Sequence, residues 1–309
     1  MNATSQSLAP GTLPAALDRA VRRAIASGAM EPIETEAEWI ADGGVRFTVR
    51  RVSSLARKRL DRRRREAQAA AGRAVNPFQP YEENLFVAGV SPTHIALLNK
   101  FNVIDRHLLL VTRAFVSQEA PLDAADFAAL AACMAEFDSL GFYNGGVVAG
   151  ASQPHKHLQL VPTPLDAGAY PVPVEAVFET VRERAGILNV PGLPFRHAFI
   201  WLAPAPGEPP DATAGRLTPI HAELLAAVGI SPVTRGGETR QSGPYNLLVT
   251  RRWMLAVPRV QEHCAGISIN ALGFAGSLFV RDDAQRATLA RVGPMAALRA
   301  VAGTPEPAL

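Results

Sequence analysis

The chain has 309 residues, 48% hydrophobic and 19% charged, with a formal net charge of +3. That length supports one large or two modest domains with a full core, and no apolar run approaches the about 18 residues of a membrane-spanning helix. Two cysteines, Cys133 and Cys264, exclude a disulfide framework, and the small net charge excludes a nucleic-acid coat. The first 30 residues lack an apolar core behind a basic start, so no secretory signal is expected. The expectation is a cytoplasmic globular protein, a monomer or small homo-oligomer, with neither membrane nor nucleic acid as partner.

In chain order, residues 1–12 are polar, and Leu17, Val21, Ala24 and Ile25 predict a helix over 13–29. Val45 to Arg50 alternates as a strand does. An Arg-rich run over 56–73 reads as a solvated face or mobile loop, or as a lid bringing positive charge to a polyphosphate. Strands are predicted over 85–87, 94–100 and 107–112, with His94 and His107 as structural residues at strand ends. Asp123 reads as the N-cap of a helix whose apolar face runs through Phe127, Leu130, Ala131, Met134, Phe137 and Leu140. After a Pro- and Gly-rich seam over 162–173, helices are expected near 174–185 and 212–228, with an apolar segment over 195–202 between them. Residues 245–259 read as a hairpin resembling that of 94–112, and 266–276 as a glycine-rich segment.

The chemistry concentrates in Gly150 to Pro162. On a strand alternate side chains share a face, so His155, His157 and Gln159 point one way. Leu158, Leu160 and Lys156 point the other. The preceding Gly150-Ala151-Ser152-Gln153 is small and polar, suited to bringing backbone N–H groups to phosphate oxygens. Taken alone, the triplet also fits satisfied core or surface histidines. A His-x-His pair also fits zinc, but neither cysteine belongs to a CxxC. Lys58, Lys100 and Lys156 are the only lysines among 31 basic residues. In so Arg-biased a chain, a retained Lys marks a position where a compact ammonium serves and a planar fork does not.

The run Gly150-Ala151-Ser152-Gln153-Pro154-His155-Lys156-His157-x-Gln159 closely resembles the active-site segment of the diadenosine tetraphosphate phosphorylases (ATP adenylyltransferases). These are a branch of the histidine-triad superfamily, and the Gln form of the motif is shared with galactose-1-phosphate uridylyltransferase. The resemblance covers roughly residues 76–162. It implies an α+β fold: a histidine-triad-like antiparallel sheet with packed helices, two-lobed and related to that uridylyltransferase. Residues 13–165 would form the catalytic region and 174–302 a C-terminal ATP adenylyltransferase-like lobe, although the two could form one compact unit.

The implied activity is phosphorolysis of diadenosine tetraphosphate to ADP and ATP, with His157 as nucleophile and His155 and Gln159 assisting. The implied substrate-binding residues include Lys58, ahead of Asn76-Pro77-Phe78, together with Asn99, Lys100, Asn144 and Lys156. They extend to Gly150, Ala151, Ser152 and Gln153 and, in the C-terminal segment, to Asn270, Ala271, Leu272, Ser277 and Arg281. The partners are a dinucleoside polyphosphate, ATP, ADP and inorganic phosphate. No residue is assigned to a metal, and the only cofactor considered is a divalent cation such as Mg accompanying the nucleotide. A dinucleoside polyphosphate hydrolase, an adenosine phosphosulfate phosphorylase or a nucleoside-diphosphate-sugar nucleotidyltransferase would use the same histidine. A nucleotide-binding sensor is the non-enzymatic alternative.

Overall fold

A computed structural model describes residues 7–53, 76–203 and 207–303. Lys58, the Arg-rich segment from 59 to 73 and the tail from 304 lie outside the described residues. Helix α1, Leu13–Ala26, carries Pro14 in its first turn, where a missing N–H removes no helical bond. Strands β1, Thr35–Asp42, and β2, Val45–Val52, follow as a hairpin. Then come β3, Phe86–Gly89, β4, His94–Leu98, and β5, Leu108–Thr112. Helix α2, Ala124–Met134, begins with a reciprocal capping box between Asp123 and Asp126. Strands β6, Ser139–Gly145, and β7, His157–Pro162, flank the motif loop.

Further on are α3, Glu175–Phe178, β8, Ala198–Trp201, and α4, Pro210–Ala227. The short hairpin β9, Pro232–Arg235, and β10, Glu238–Gln241, precedes the buried pair β11, Tyr245–Val249, and β12, Trp253–Pro258. The chain closes with β13, His263–Cys264, β14, Ile267–Ser268, α5, Ala271–Phe274, β15, Ser277–Val280, α6, Asp283–Val292, and α7, Pro294–Ala302.

The architecture is α+β. An eight-stranded antiparallel sheet runs β3-β4-β5-β7-β6-β11-β12-β8, so five strands come from before residue 165 and three from after 174. A second sheet, β1-β2-β15, joins the N-terminal hairpin to the C-terminal segment through a parallel β2–β15 ladder. One face of the large sheet, with Leu158, Leu160, Tyr143 and Leu247, packs on α1, α2 and α4 through Leu17, Phe127, Leu130 and Leu224. The other face carries two separate apolar clusters. Phe142, Val161, Leu248 and Leu255 pack against Phe47, Phe274 and Leu298. Ile95, Leu97 and Val111 pack against Phe78.

One expectation changes. The apolar helical face does not continue through Phe137 and Leu140: α2 stops at Met134, and Ser139–Gly145 is a central strand. All seven β6 residues are buried, so the period-two alternation that marks a half-exposed strand is absent. Strand β1 was not anticipated either; it is a mostly exposed edge strand, with Ala37, Trp39 and Ala41 at the surface.

Arg259, at the end of β12, is buried and fully engaged. Its guanidinium donates to Asn246 Oδ1 at 2.6 Å, to the Val301 carbonyl at 3.2 Å and to the Ala149 carbonyl at 3.3 Å. It also reaches the carbonyls of Gln261 at 2.9 Å and Glu262 at 3.3 Å. Burial lowers its pKa to about 10, which leaves it charged at neutral pH. Arg259→Met would strip donors from Asn246 and several buried carbonyls, each costing about 1–3 kcal/mol when unsatisfied. A loss of about 3 kcal/mol in denaturant unfolding is expected.

Candidate active site

Strand β7 sits between β5 and β6, with His157 opposite Val111 and Gln159 opposite Leu109 and Phe142. These neighbours belong to the two apolar clusters of one face, so the histidine strip runs along the seam between them. His155 lies just before the strand in an isolated bridge to Ser117. Phe78 packs on both imidazoles, with ring centroids 5.6 Å from His155 and 5.4 Å from His157.

Hydrogen bonding settles the protonation of each ring. A carbonyl oxygen can only accept, and the His155 carbonyl lies 2.8 Å from His157 Nδ1. His157 is therefore the Nδ1–H tautomer, with its lone pair on Nε2. Burial lowers its pKa to about 4, with the His155 bond opposing the shift, so the ring is neutral and nucleophilic at physiological pH. His155 has the opposite tautomer. Its Nε2 donates to the Thr112 carbonyl at 2.8 Å, and its Nδ1 accepts from Asn76 Nδ2 at 2.9 Å. Gln159 Oε1 lies 3.0 Å from His107 Nε2, and Asn99 Nδ2 lies 3.1 Å from His107 Nδ1.

The ladder between β6 and β7 runs from Ser139–Pro162 to Phe142–Gln159. Above it the side chain of Gln118 takes the place of a strand. Its Oε1 accepts the His157 N–H at 2.8 Å, and its Nε2 lies 3.2 Å from the His157 carbonyl and 2.9 Å from that of Asn144. The Gln118 N–H donates to the Pro154 carbonyl at 2.8 Å, and the Tyr143 hydroxyl donates to the Gln118 carbonyl. The backbone carrying the nucleophile is thus held by a side chain 39 residues upstream.

Of the other residues singled out, Asn144, Gly150, Asn270 and Ala271 are brought together. Asn144 Oδ1 accepts the Ala271 N–H at 3.0 Å and an Asn246 Nδ2–H at 2.8 Å. Gly150 has φ +91°, and a Cβ there would lie 2.8 Å from Asn270 Cβ. Both the backbone conformation and the close approach therefore require glycine. Asn270 Oδ1 also accepts the Leu272 N–H at 3.1 Å, capping α5. The N–H groups of Gly150 and Ala151 bond the Val147 and Gly146 carbonyls within the turn. A cleft of about 520 Å³ opens beside this loop, lined by Phe115, Gly146, Ala151, Gln153, Pro154 and Arg240. The loop borders this cleft; the three polar residues of the strand do not.

Several residues lie elsewhere. Lys156 projects to the helical face, where its buried ammonium bonds Asp126 Oδ2 and the Pro121 carbonyl, both at 2.7 Å. His94 Nε2 meets the other oxygen of Asp126 at 3.0 Å. Burial would raise that carboxyl, but the His94 and Lys156 bonds outweigh it and hold its pKa below the ordinary value. The alternation of the strand sends Lys156 away from the histidines. Lys100 pairs with Glu82 at 2.9 Å. Ser277 lies buried on β15 opposite Thr48, and Arg281 is an exposed partner of Asp282 at 3.4 Å.

Gln118, Asn246 and Arg259 carried no sequence signal, because a polar residue in a loop or strand does not announce a distant partner. Asn76 lay in the Asn-Pro-Phe landmark without a role assigned to its side chain. Replacing Gln118 with Leu leaves the His157 N–H, its carbonyl and that of Asn144 without that partner. A loss of about 2–3 kcal/mol in unfolding free energy is expected, with turnover falling further than stability alone explains. Stability should also depend on acid. Burial depresses His107, His157, His197 and His221 from 6.5 to about 4, so between those values the unfolded chain binds more protons. The denaturation midpoint therefore falls as pH drops from about 6.5 towards 4.

Comparison with known proteins gives the same family along nearly the whole chain. The Ap4A phosphorylase N-terminal domain model matches residues 3–180, and the ATP adenylyltransferase C-terminal domain model matches residues 191–304. Diadenosine 5',5'''-P1,P4-tetraphosphate phosphorylase 2 of Saccharomyces cerevisiae is 26% identical over 234 residues, which is 68% of this chain and 70% of that protein. The solved structure of yeast Ap4A phosphorylase Apa2 superposes with a TM-score of 0.76 at 21% identity, covering 97% of this chain and 100% of the other. Its complex with Ap4A gives 0.76 at 19% identity over the same shares. With the first model spanning more than half its length, the chain belongs to the Ap4A phosphorylase family and is a nucleotidyltransferase enzyme of the ATP adenylyltransferase type.

Proposed function

We propose that this enzyme phosphorolyses diadenosine tetraphosphate with inorganic phosphate, through a nucleotide held covalently on His157. The observation that carries the reading is the His157 ring itself, neutral and oriented by the His155 carbonyl at 2.8 Å, with its lone pair on Nε2. Nε2 attacks the α-phosphorus, the N–P bond forms, and the P–O bond to the remaining polyphosphate breaks to release ATP. Phosphate then attacks the same phosphorus, the N–P bond breaks, and ADP leaves. Splitting one displacement into two lowers the barrier of each, and the rest of the catalysis is positioning and charge stabilisation. Gln159 is placed one strand repeat away to hydrogen-bond a non-bridging oxygen. Unlike a third histidine, its amide is no base that could take a proton from an attacking water, which favours transfer over hydrolysis. The Ap4A bound by yeast Apa2 supports the choice of substrate.

Incubating the protein with diadenosine tetraphosphate in the absence of phosphate should release ATP and leave AMP attached to His157. The phosphoramidate is acid-labile and base-stable, so the digest is kept alkaline before mass spectrometry. Adding phosphate should discharge the adduct as ADP. His157→Ala should abolish the adduct and lower turnover by several orders of magnitude. An adduct on His155 instead, or near-normal turnover of His157→Ala, overturns the assignment.

A further inference from the structure

Beside the nucleophile, three side chains form a relay whose proton positions follow from a single donor. The backbone N–H of Phe101 can only donate, and it lies 3.2 Å from Asn99 Oδ1. The other atom of that amide, Nδ2, therefore faces His107 Nδ1 at 3.1 Å and donates to it. An imidazole nitrogen that accepts carries no proton, so the neutral ring has its hydrogen on Nε2. That hydrogen points at Gln159 Oε1, 3.0 Å away. His107 is buried between strands and packs on Phe142 at 5.7 Å between ring centroids, so the imidazole is sterically confined.

We infer that Asn99 and His107 are positioning residues that lock the Gln159 amide in one orientation, with its NH₂ group turned towards the transferring phosphoryl group. An amide free to flip presents donor and acceptor faces in turn, and its oxygen lone pairs would repel non-bridging phosphoryl oxygens. A fixed donor already aimed at the charge that develops costs no reorientation during the reaction. Asn99 thus acts through His107 and need not touch the nucleotide. Burial pushes the His107 pKa down to about 4, against the Gln159 bond, which keeps the relay in its neutral form across physiological pH.

The inference rests on the nucleotidyl-histidine reading, and the test separates the two. In the wild-type protein, the imidazole ¹⁵N spectrum of His107 should show the neutral Nε2–H tautomer from about pH 6 to pH 9; an Nδ1–H or doubly protonated ring overturns the relay. Asn99→Asp puts a carboxylate, which only accepts, at His107 Nδ1. At low pH the imidazolium donates from both nitrogens and Gln159 keeps its orientation. As pH rises the ring loses a proton and keeps Nδ1–H against the carboxylate. Nε2 then becomes an acceptor, and the Gln159 amide turns over. The kcat of Asn99→Asp should therefore fall by about 10- to 100-fold between about pH 6 and pH 9, the scale common for outer partners of a catalytic group, with KM little changed.

Wild-type turnover stays flat over that range. A loss in Asn99→Asp that does not vary with pH, or one that appears in KM alone, means that Asn99 meets the substrate directly, and the relay is wrong. Failure of the covalent reading shows differently, as a wild-type protein that turns over without ever carrying AMP on His157.

Discussion

A strand must close its hydrogen bonds on both sides, and β7 carries the nucleophile where one side opens. Below Gln159 its ladder to β6 is regular. Above that point the Gln118 amide stands in as a short piece of strand, meeting the N–H and carbonyl of His157 and the carbonyl of Asn144. Buried backbone groups without partners are costly, so the sheet can part here only because a side chain supplies the missing donors and acceptors. Parting the strands places His157 at the end of a regular ladder, with its main chain held from both sides.

The two faces of β7 divide the work. On one face, Lys156 and His94 converge on Asp126 at the capped start of α2, anchoring the strand to the helical layer through a buried, hydrogen-bonded charge cluster. On the other face, His157 and Gln159 lie along the seam between two apolar clusters. That seam is dry enough to hold His107 and His157 neutral, with both pKa values near 4. Low local polarity also strengthens any charge interaction made there. The same burial that lowers acid stability keeps the nucleophile unprotonated.

The C-terminal segment takes part in building this region. Asn144, Asn246 and Arg259 tie β6, β11 and β12 to the Ala149 carbonyl, and the Ala271 N–H closes on Asn144. Gly150 fits under Asn270 only because it has no Cβ. The motif loop is therefore shaped by residues about a hundred positions or more downstream. Its conformation belongs to the whole chain more than to its own ten residues.

The sequence by itself determined much of the local structure. Alternation located β2 and set the faces of β7, a 3.6-residue period located α1, and apolar density located the buried strands β4 and β5 and the hairpin of β11 and β12. Alternation also placed Lys156 on the face opposite His155, His157 and Gln159, and the motif pointed to the family that the comparisons show. It did not reveal β6, where Ser139, Gly141, Asn144 and Gly145 break the apolar density that marks the other central strands, or β1, an edge strand whose Ala37, Trp39 and Ala41 are exposed. Nor could it say that Gln118 holds His157, that His107 joins Asn99 to Gln159, or that Lys100 and Lys156 face carboxylates. Those facts are partnerships between polar groups far apart in the chain. A hydrogen bond is decided by distance and direction, which only the folded chain supplies.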